Sequence, residues 1–189
     1  MTIVPYPALK EAFMSRKPFL ELPNAPNQMF MADFAKARIM GRRPKPLFFV
    51  MDYYSRYLLV LKLFAKIDEA SLVMGLENAL EEAVMVSPFR HDHIIMLFND
   101  ELPVMNSPRT LRYIESSPYI QVRESIIGRT RLQLASMMKR VNKTIIEEEF
   151  PEHGYTDVED AQSCLGAFRN YYNHDRPHQS LKYRVPVLI

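Results

Sequence analysis

Residues 128–150 read GRTRLQLASMMKRVNKTIIEEEF, and the apolar side chains in this stretch recur at the spacing of an α-helix. Four of them, at intervals of four, three and four residues, would share one side of a helix over residues 129–150: Leu134, Met138, Val141 and Ile145. We therefore predict an amphipathic helix that buries one stripe against the core. Lys139 lies next to that stripe, and the rest of the chain decides what this lysine does.

Five further runs of apolar and aromatic residues have the composition of β-strands, at residues 28–35, 46–56, 57–64, 91–100 and 119–125. Apolar periodicity and capping residues indicate three more helices, at residues 67–86, 107–116 and 158–173. The resulting order, β-β-β-α-β-α-β-α-α, predicts an α/β fold. It favours a mixed sheet with an antiparallel section of three strands and helices on its faces.

A chain of 189 residues with 48% hydrophobic content is long enough for one sizeable core, and no glycine- or serine-rich linker divides it. Residues 1–27 carry five prolines and few apolar residues, which predicts an extended N-terminal arm. We expect one globular domain over residues 28–189.

Cysteine content and the N-terminus bear on the compartment. The single cysteine, Cys164, excludes an intramolecular disulfide framework and a cysteine-based zinc site. The first residues lack the basic start and apolar run of a signal peptide, and no apolar stretch approaches the length of a membrane span. We therefore expect a cytoplasmic protein without a membrane partner.

The charge is distributed unevenly. A formal net charge of +2 is too small to indicate nucleic acid binding by itself. However, residues 36–45 hold five bases and no acid, and residues 123–143 hold six bases against Glu124 alone. Judged alone, such a run is more often a solvated helix face than a DNA-binding surface.

The closing run YYNHDRPHQSLKYRVP, at residues 171–186, matches the pattern YN-x-x-RPH-x-x-L-x-Y-x-x-P nearly residue for residue. That pattern ends the integrase catalytic core of insertion-sequence transposases, a family related to retroviral integrases, and this chain resembles that family over residues 27–186. PNQMFMADF resembles the family's first strand, and VMDYYSRYLLVL resembles its D-x-F-S-R hairpin. The resemblance implies an RNase H-like fold with a five-stranded sheet, a DNA partner, a mobile-element origin and a homodimer.

The resemblance also implies the positions of the three catalytic acids. Asp33 on the first strand and Asp100 at the end of the fourth correspond to the two aspartates, although the Asn-Gly that follows the second aspartate in the family is missing here. The third acid is a glutamate in a helical sequence resembling E-R-F-N-R-T-L-K. This chain reads KRVNKTII at that place, so the position of the glutamate is taken by Lys139.

This substitution bears directly on the chemistry. In the family, two divalent cations, Mg²⁺ or Mn²⁺, bridge the acids and activate the attacking group. Asp33 and Asp100 would supply half of such a metal site, but an ammonium group has no lone pair for a metal. Lys139 would instead repel the cation or replace it, in a structural triad with the two aspartates. If the chain is active, Glu101 or Glu124 could serve as a relocated third ligand.

In the context of the family, the two basic regions become candidates for DNA binding. The residues concerned are Arg42, Arg43, Arg123, Arg129, Arg131, Arg140 and Lys143. Asp52 is interpreted as a turn or capping residue of the hairpin, and His174 and His178 as parts of the C-terminal packing motif.

Three hypotheses follow. The favoured one is a polynucleotidyl-transferase fold with a degenerate acidic site, which keeps DNA binding or an assembly role, has lost efficient strand transfer and needs no cofactor. The second is an active, metal-dependent strand-transfer enzyme with a relocated third ligand. The third is a protein–protein assembly module without DNA activity. Sequence-specific recognition is expected to come from a separate DNA-recognition protein or another segment.

Overall fold

The computed structural model describes residues 22–87, 94–98, 107–117, 120–122, 129–151 and 154–189. Its strands are, in chain order, β1 (Met29–Ala37), β2 (Lys45–Asp52), β3 (Leu58–Leu63), β4 (Ile94–Phe98) and the short β5 (Ile120–Val122). Its helices are α1 (Glu69–Val86), α2 (Pro108–Ser116), α3 (Arg129–Glu148) and α4 (Val158–His174). Strands and helices follow one another in the order that the sequence predicts.

The strands form one mixed sheet in the order β3-β2-β1-β4-β5. β1, β2 and β3 pair antiparallel, whereas β4 joins β1 and β5 joins β4 in parallel. The predicted mixed sheet with an antiparallel section of three strands is confirmed. β1 therefore has a neighbouring strand on each side and lies at the centre of the sheet.

Helices cover both faces of this sheet, and alternate residues of β1 point to opposite faces. Met31 and Ala35 belong to an apolar cluster with the buried side chains of α3 and α4. Phe30 and Ala32 belong to a second cluster, which includes Leu72 and other buried side chains of α1. Because Asp33 lies between Met31 and Ala35 on the strand, it falls on the side of the sheet that α3 covers.

Side-chain caps fix where two of the helices begin. Asp68 precedes α1, and its carboxylate accepts a hydrogen bond from the backbone N–H of Ser71 at 2.8 Å. Ser107 precedes α2 and accepts from the N–H of Thr110 at 3.2 Å, with Pro108 in the first turn. The predicted cap of α2 is confirmed, whereas α1 begins two residues later than predicted, with Asp68 as its cap instead of within its first turn.

One glycine sets the distance between α1 and the sheet. A Cβ atom on Gly75 would lie 2.4 Å from Cε1 of Phe48, a fully buried side chain of β2. No side chain fits at that distance without a shift of the Phe48 ring, so the glycine allows α1 to pack directly on β2.

Helix α4 covers the free edge of β3. Asn173 is buried, its Oδ1 accepts from the N–H of Leu58 at 2.8 Å, and its Nδ2 donates to the carbonyl of the same residue at 3.1 Å. Arg169 donates to that carbonyl as well, at 2.9 Å. At the other end of the strand, Oε1 of Gln162 accepts from the N–H of Leu63 at 3.0 Å. Polar side chains of α4 thus replace a neighbouring strand.

The segment after α4 ties the two helices of this face together. Nε and Nη2 of Arg176 donate to the two carboxylate oxygens of Glu148 at 2.6 and 2.5 Å, a bidentate ion pair at the end of α3. His178 is buried against Tyr172, with ring centroids 4.6 Å apart, and its Nε2 lies 3.2 Å from the Tyr172 carbonyl. The interpretation of His178 as a packing residue is confirmed, whereas His174 is exposed at the end of α4.

Part of the predicted N-terminal arm can be described. Residues 1–21 lie outside the described residues, and the division at residue 27 stays a prediction. Asn27, at a positive φ of 63°, is buried; its N–H donates to Oδ1 of Asp52 at 3.1 Å and its Nδ2 to the carbonyl of Ser87 at 2.8 Å. Among the described helices, none combines the length and the apolar character needed to cross a membrane.

Candidate functional site

Asp33 is the central acidic residue of the sheet. It lies in the middle of β1, opposite Phe49 of β2, and only 8% of its surface is exposed. Its Oδ1 accepts a hydrogen bond from the N–H of Phe34 at 2.8 Å. A carboxylate at such a position is uncommon in a strand unless it is paired or functional, which keeps Asp33 as a candidate site residue.

The second aspartate belongs at the end of β4. The parallel register pairs Phe98, the last residue of β4, with Ala32 of β1. The strand therefore ends next to Asp33, as a site shared by the two strands requires. Asp100 follows two residues later and lies outside the described residues, as do both candidates for a relocated ligand, Glu101 and Glu124.

Helix α3 carries Lys139 across the face on which Asp33 lies. Met138, Val141 and Ile145 are buried in the cluster that contains Met31 and Ala35 of β1, which confirms three of the four predicted stripe positions; the side chain of Leu134 lies outside the described residues. Lys139 itself is exposed. The ion pairs formed between described side chains do not include one between Lys139 and Asp33. With Asp100 outside the described part, the triad of these three residues stays a prediction.

Asn142 lies one helical turn after Lys139. Its Oδ1 is inaccessible to solvent and has no hydrogen-bond donor within the described structure. A buried carbonyl oxygen without a donor costs about 1–3 kcal/mol. This face of α3 therefore presents an ammonium group and an unsatisfied acceptor at neighbouring positions.

Among the predicted ligands of a divalent cation, only Asp33 lies within the described residues. Mg²⁺ and Mn²⁺ bind through oxygen ligands, mainly carboxylates. Within the described ranges no three histidine, cysteine, aspartate or glutamate side chains come together as a metal site. Lys139 adds a positive charge where the resemblance implies the third carboxylate. We therefore derive no step of the chemistry through a metal at this place.

The predicted DNA-binding residues lie on separate elements. Arg42 and Arg43 are exposed in the connection between β1 and β2, while Arg140 and Lys143 are exposed on α3. Lys143 forms an ion pair with Glu147 one turn later, at 3.5 Å. The remaining predicted residues cannot be placed: Arg123 lies outside the described residues, and Arg129 and Arg131 begin α3 with side chains that are not described.

The β2–β3 turn is built around Asp52, which is 1% exposed. Its Oδ2 accepts from the N–H and the hydroxyl of Ser55 at 2.7 and 2.6 Å, and its Oδ1 accepts from Asn27. Burial raises the pKa of this carboxyl group, while the hydrogen bonds from Ser55 and Asn27 oppose the rise. The sequence interpretation of Asp52 as a turn residue is confirmed.

The sequence did not predict the contacts of Arg56, which lies in the same turn. Its guanidinium lies over the ring of Tyr53, with Cζ 4.9 Å from the ring centroid, and contacts α3 through Nη1 and Sδ of Met137, 2.9 Å apart. Burial lowers the pKa of Arg56, while the charges of Tyr53, Tyr172 and Asp52 oppose this and that of Arg140 adds a smaller lowering. Ser55 and Arg56 belong to the hairpin motif in the sequence, but that motif predicts only a turn and not a contact with α3.

Known proteins share both the sequence pattern and this architecture. Residues 121–186 match the integrase core domain family. The insertion element IS407 uncharacterized 31.7 kDa protein of Burkholderia multivorans (strain ATCC 17616 / 249) is 24% identical over 179 residues, which are 94% of this chain and 60% of that protein. The chain thus spans about 60% of the length of this curated relative.

Solved structures of two kinds of catalytic core have the same fold. The HTLV-2 integrase catalytic core domain in complex with magnesium, in its dimeric form, has a TM-score of 0.53 at 10% identity, covering 86% of this chain and 95% of that one. The catalytic domain of the Mos1 mariner transposase has a TM-score of 0.54 at 12% identity, covering 75% of this chain and 69% of that one. The predicted RNase H-like fold is therefore confirmed.

Proposed function

We propose that this chain, which matches the integrase core domain family over residues 121–186 and shares the fold of integrase and transposase cores, is a transposase or integrase core homologue that binds DNA and lacks efficient strand-transfer activity. The observation that carries the proposal is the position of Lys139. This lysine lies on α3, beside the stripe that packs on the Asp33 side of β1. An ammonium group at that position opposes the binding of a cation and cannot replace a carboxylate ligand.

The DNA-binding part of the proposal rests on charge. The described part of α3 exposes Lys139, Arg140 and Lys143, and the β1–β2 connection exposes Arg42 and Arg43. Binding through such side chains neutralises backbone phosphates and weakens steeply as the salt concentration rises. We therefore expect non-specific duplex binding by this chain, with sequence recognition supplied by another protein or segment.

Two measurements on the full chain test the proposal. Fluorescence anisotropy with a labelled DNA duplex is expected to show salt-dependent binding. Cleavage and strand-transfer assays with Mg²⁺ or Mn²⁺ are expected to show no turnover above that of Asp33→Asn. Robust turnover that Asp33→Asn abolishes would show an active enzyme with a relocated third ligand. A stable oligomer without salt-dependent DNA binding would instead indicate an assembly module.

A charge reversal on α3 isolates the role of position 139. Lys139→Glu restores the acid that the resemblance implies, and Lys143→Glu makes the same charge change one turn later on the same exposed helix. We expect Lys139→Glu to bind Mn²⁺ more tightly than the wild-type chain in calorimetric titration, and Lys143→Glu to match the wild type. Equal gains in the two variants would mean that only net charge matters and would remove the support for a site at position 139.

We infer a homodimer for this chain from its resemblance to the integrase core family, of which the HTLV-2 core has been solved in a dimeric and in a trimeric form. Light scattering after size-exclusion chromatography is expected to give twice the chain mass of 22.1 kDa. A mass equal to that of one chain at all concentrations would exclude it.

A further inference from the structure

We propose that Arg56 and Arg140 together bind one phosphate group of a nucleic acid backbone, at the place where the β2–β3 turn meets α3. The site rests on the proposed function in one respect, since DNA supplies the phosphate. It adds a residue from the hairpin, Arg56, to a surface otherwise formed by the helix.

The Arg56 side chain is held in a fixed position. Its backbone adopts a positive φ of 65°, which non-glycine residues rarely do and which costs of order 1 kcal/mol or more unless the surroundings enforce it. The Tyr53 ring lies against the guanidinium, and Nη1 donates to the Tyr53 carbonyl. A guanidinium fixed in this way loses little side-chain entropy when a ligand binds.

The charge of Asp52 acts on this guanidinium, but no carboxylate among the described side chains forms an ion pair with it. Asp52 is the acid next to it, and its two oxygens accept from Asn27 and Ser55. Nη1 of Arg56 meets the sulfur of Met137, a weak acceptor, and its Nε and Nη2 groups have no acceptor among the described residues. Several strong donors are therefore available to an external anion.

Arg140 brings the second positive charge. It lies three residues after Met137, so that it shares the side of α3 that faces Arg56. Arg140 is exposed and has no ion-pair partner among the described side chains. Burial is the main cause of the lowered pKa of Arg56, and the charge of Arg140 makes a smaller contribution in the same direction.

Two other described arginines, Arg169 and Arg176, are paired with carboxylates. Arg169 forms an ion pair with Glu82, and Arg176 a bidentate one with Glu148. Two guanidinium groups without a carboxylate between them differ from this pattern. The planar donor groups of the two arginines match the oxygens of a phosphate, and a bound phosphate would relieve the repulsion between the two guanidinium charges.

Three single variants and one double variant test the site in the full chain. Arg56→Gln and Arg140→Gln each remove one guanidinium, and their combination removes both. Arg112→Gln is the matched control, because Arg112 is an exposed arginine on α2, which packs with the apolar cluster of the opposite face. The readout is the affinity for a DNA duplex between roughly 50 and 200 mM salt.

The expected result is a change in salt dependence. The slope of log affinity against log salt should fall by about 0.9, the value for one phosphate contact, in Arg56→Gln and in Arg140→Gln. The double variant should lose little more than either single variant, because both groups bind the same phosphate. Arg112→Gln should keep the wild-type slope. Unchanged slopes in Arg56→Gln and Arg140→Gln would overturn the site while leaving DNA binding itself intact.

Two further measurements distinguish a failure of the phosphate site from misfolding of a variant and from a failure of the proposed function. If circular dichroism shows that Arg56→Gln does not fold, Arg140→Gln, which leaves the turn untouched, decides. If the wild-type chain binds no DNA, the proposed function fails. The site is then decided by titrating inorganic phosphate and following the Nε–H NMR signals of Arg56 and Arg140. Joint shifts of both signals support it, and no shifts overturn it.

Discussion

Replacing Asn173 with alanine should destabilise the protein strongly, because one buried amide holds α4 on the edge of β3. The substitution removes two hydrogen bonds to Leu58, which contribute about 1 kcal/mol each. The Leu58 carbonyl keeps Arg169 as a donor, but the Leu58 N–H loses its acceptor in a buried place. Such a stranded donor costs about 1–3 kcal/mol. Since these two effects overlap, we expect a loss of about 2–4 kcal/mol in the free energy of unfolding.

Urea unfolding followed by circular dichroism measures this loss, and thermal unfolding should show a fall in Tm of about 4–16 °C for a chain of this size. Asn170→Ala is the control, since Asn170 lies one turn earlier on α4 with an exposed side chain. It should change stability by no more than about 0.5 kcal/mol. If Asn173→Ala also changes the free energy of unfolding by no more than about 0.5 kcal/mol, the hydrogen bonds of Asn173 do not hold α4 on β3 and the prediction is refuted.

Two further predictions concern packing and pH. Gly75→Ala should destabilise the protein by about 1–3 kcal/mol, because its Cβ would lie 2.4 Å from the Phe48 ring. Gly166→Ala on α4, where a Cβ has nothing within 4 Å, should stabilise it by about 0.5–1 kcal/mol. Urea unfolding of the two variants measures both changes, and equal changes would contradict the close approach of Gly75 to Phe48. Burial lowers the pKa of His178, so the unfolded chain binds this proton at a higher pH than the folded chain does, and stability should fall as the pH drops below about 6.5. In His178→Gln, unfolding curves at several pH values should lack this component, and an unchanged pH dependence would assign it to another group.

The sequence predicts the fold well because the strands and helices carry strong local signals. The apolar run of β1 and the cap Ser107 act within a few residues of themselves, and each has the predicted effect in the structure, while Asp68, predicted in the first turn of α1, is its N-cap. The apolar periodicity likewise predicted a helix around Lys139, and α3 buries Met138, Val141 and Ile145 of the predicted stripe.

The surroundings of the candidate site were not predictable in the same way. Arg56 and Met137 are 81 residues apart in the chain, and their contact depends on how α3 crosses the sheet. The burial of the Asn142 Oδ1 atom without a hydrogen-bond donor in the described structure likewise depends on tertiary packing. The closing motif, which identifies the family most specifically, turns out to contain stabilising contacts: its Asn173 and Arg176 bind Leu58 and Glu148.

The covering of β3 by α4 has a consequence for synthesis. β3 ends at Leu63 and α4 begins at Val158, so roughly 95 residues separate the strand from the helix that protects its edge. At a translation rate of about 5–20 residues per second, the ribosome needs about 5–20 s to make that interval. During this time the hydrogen-bonding groups of Leu58 and Leu63 have no partner from α4, and an apolar strand edge of this kind readily pairs with another chain. The nascent chain is therefore most prone to aggregation between the synthesis of β3 and that of α4.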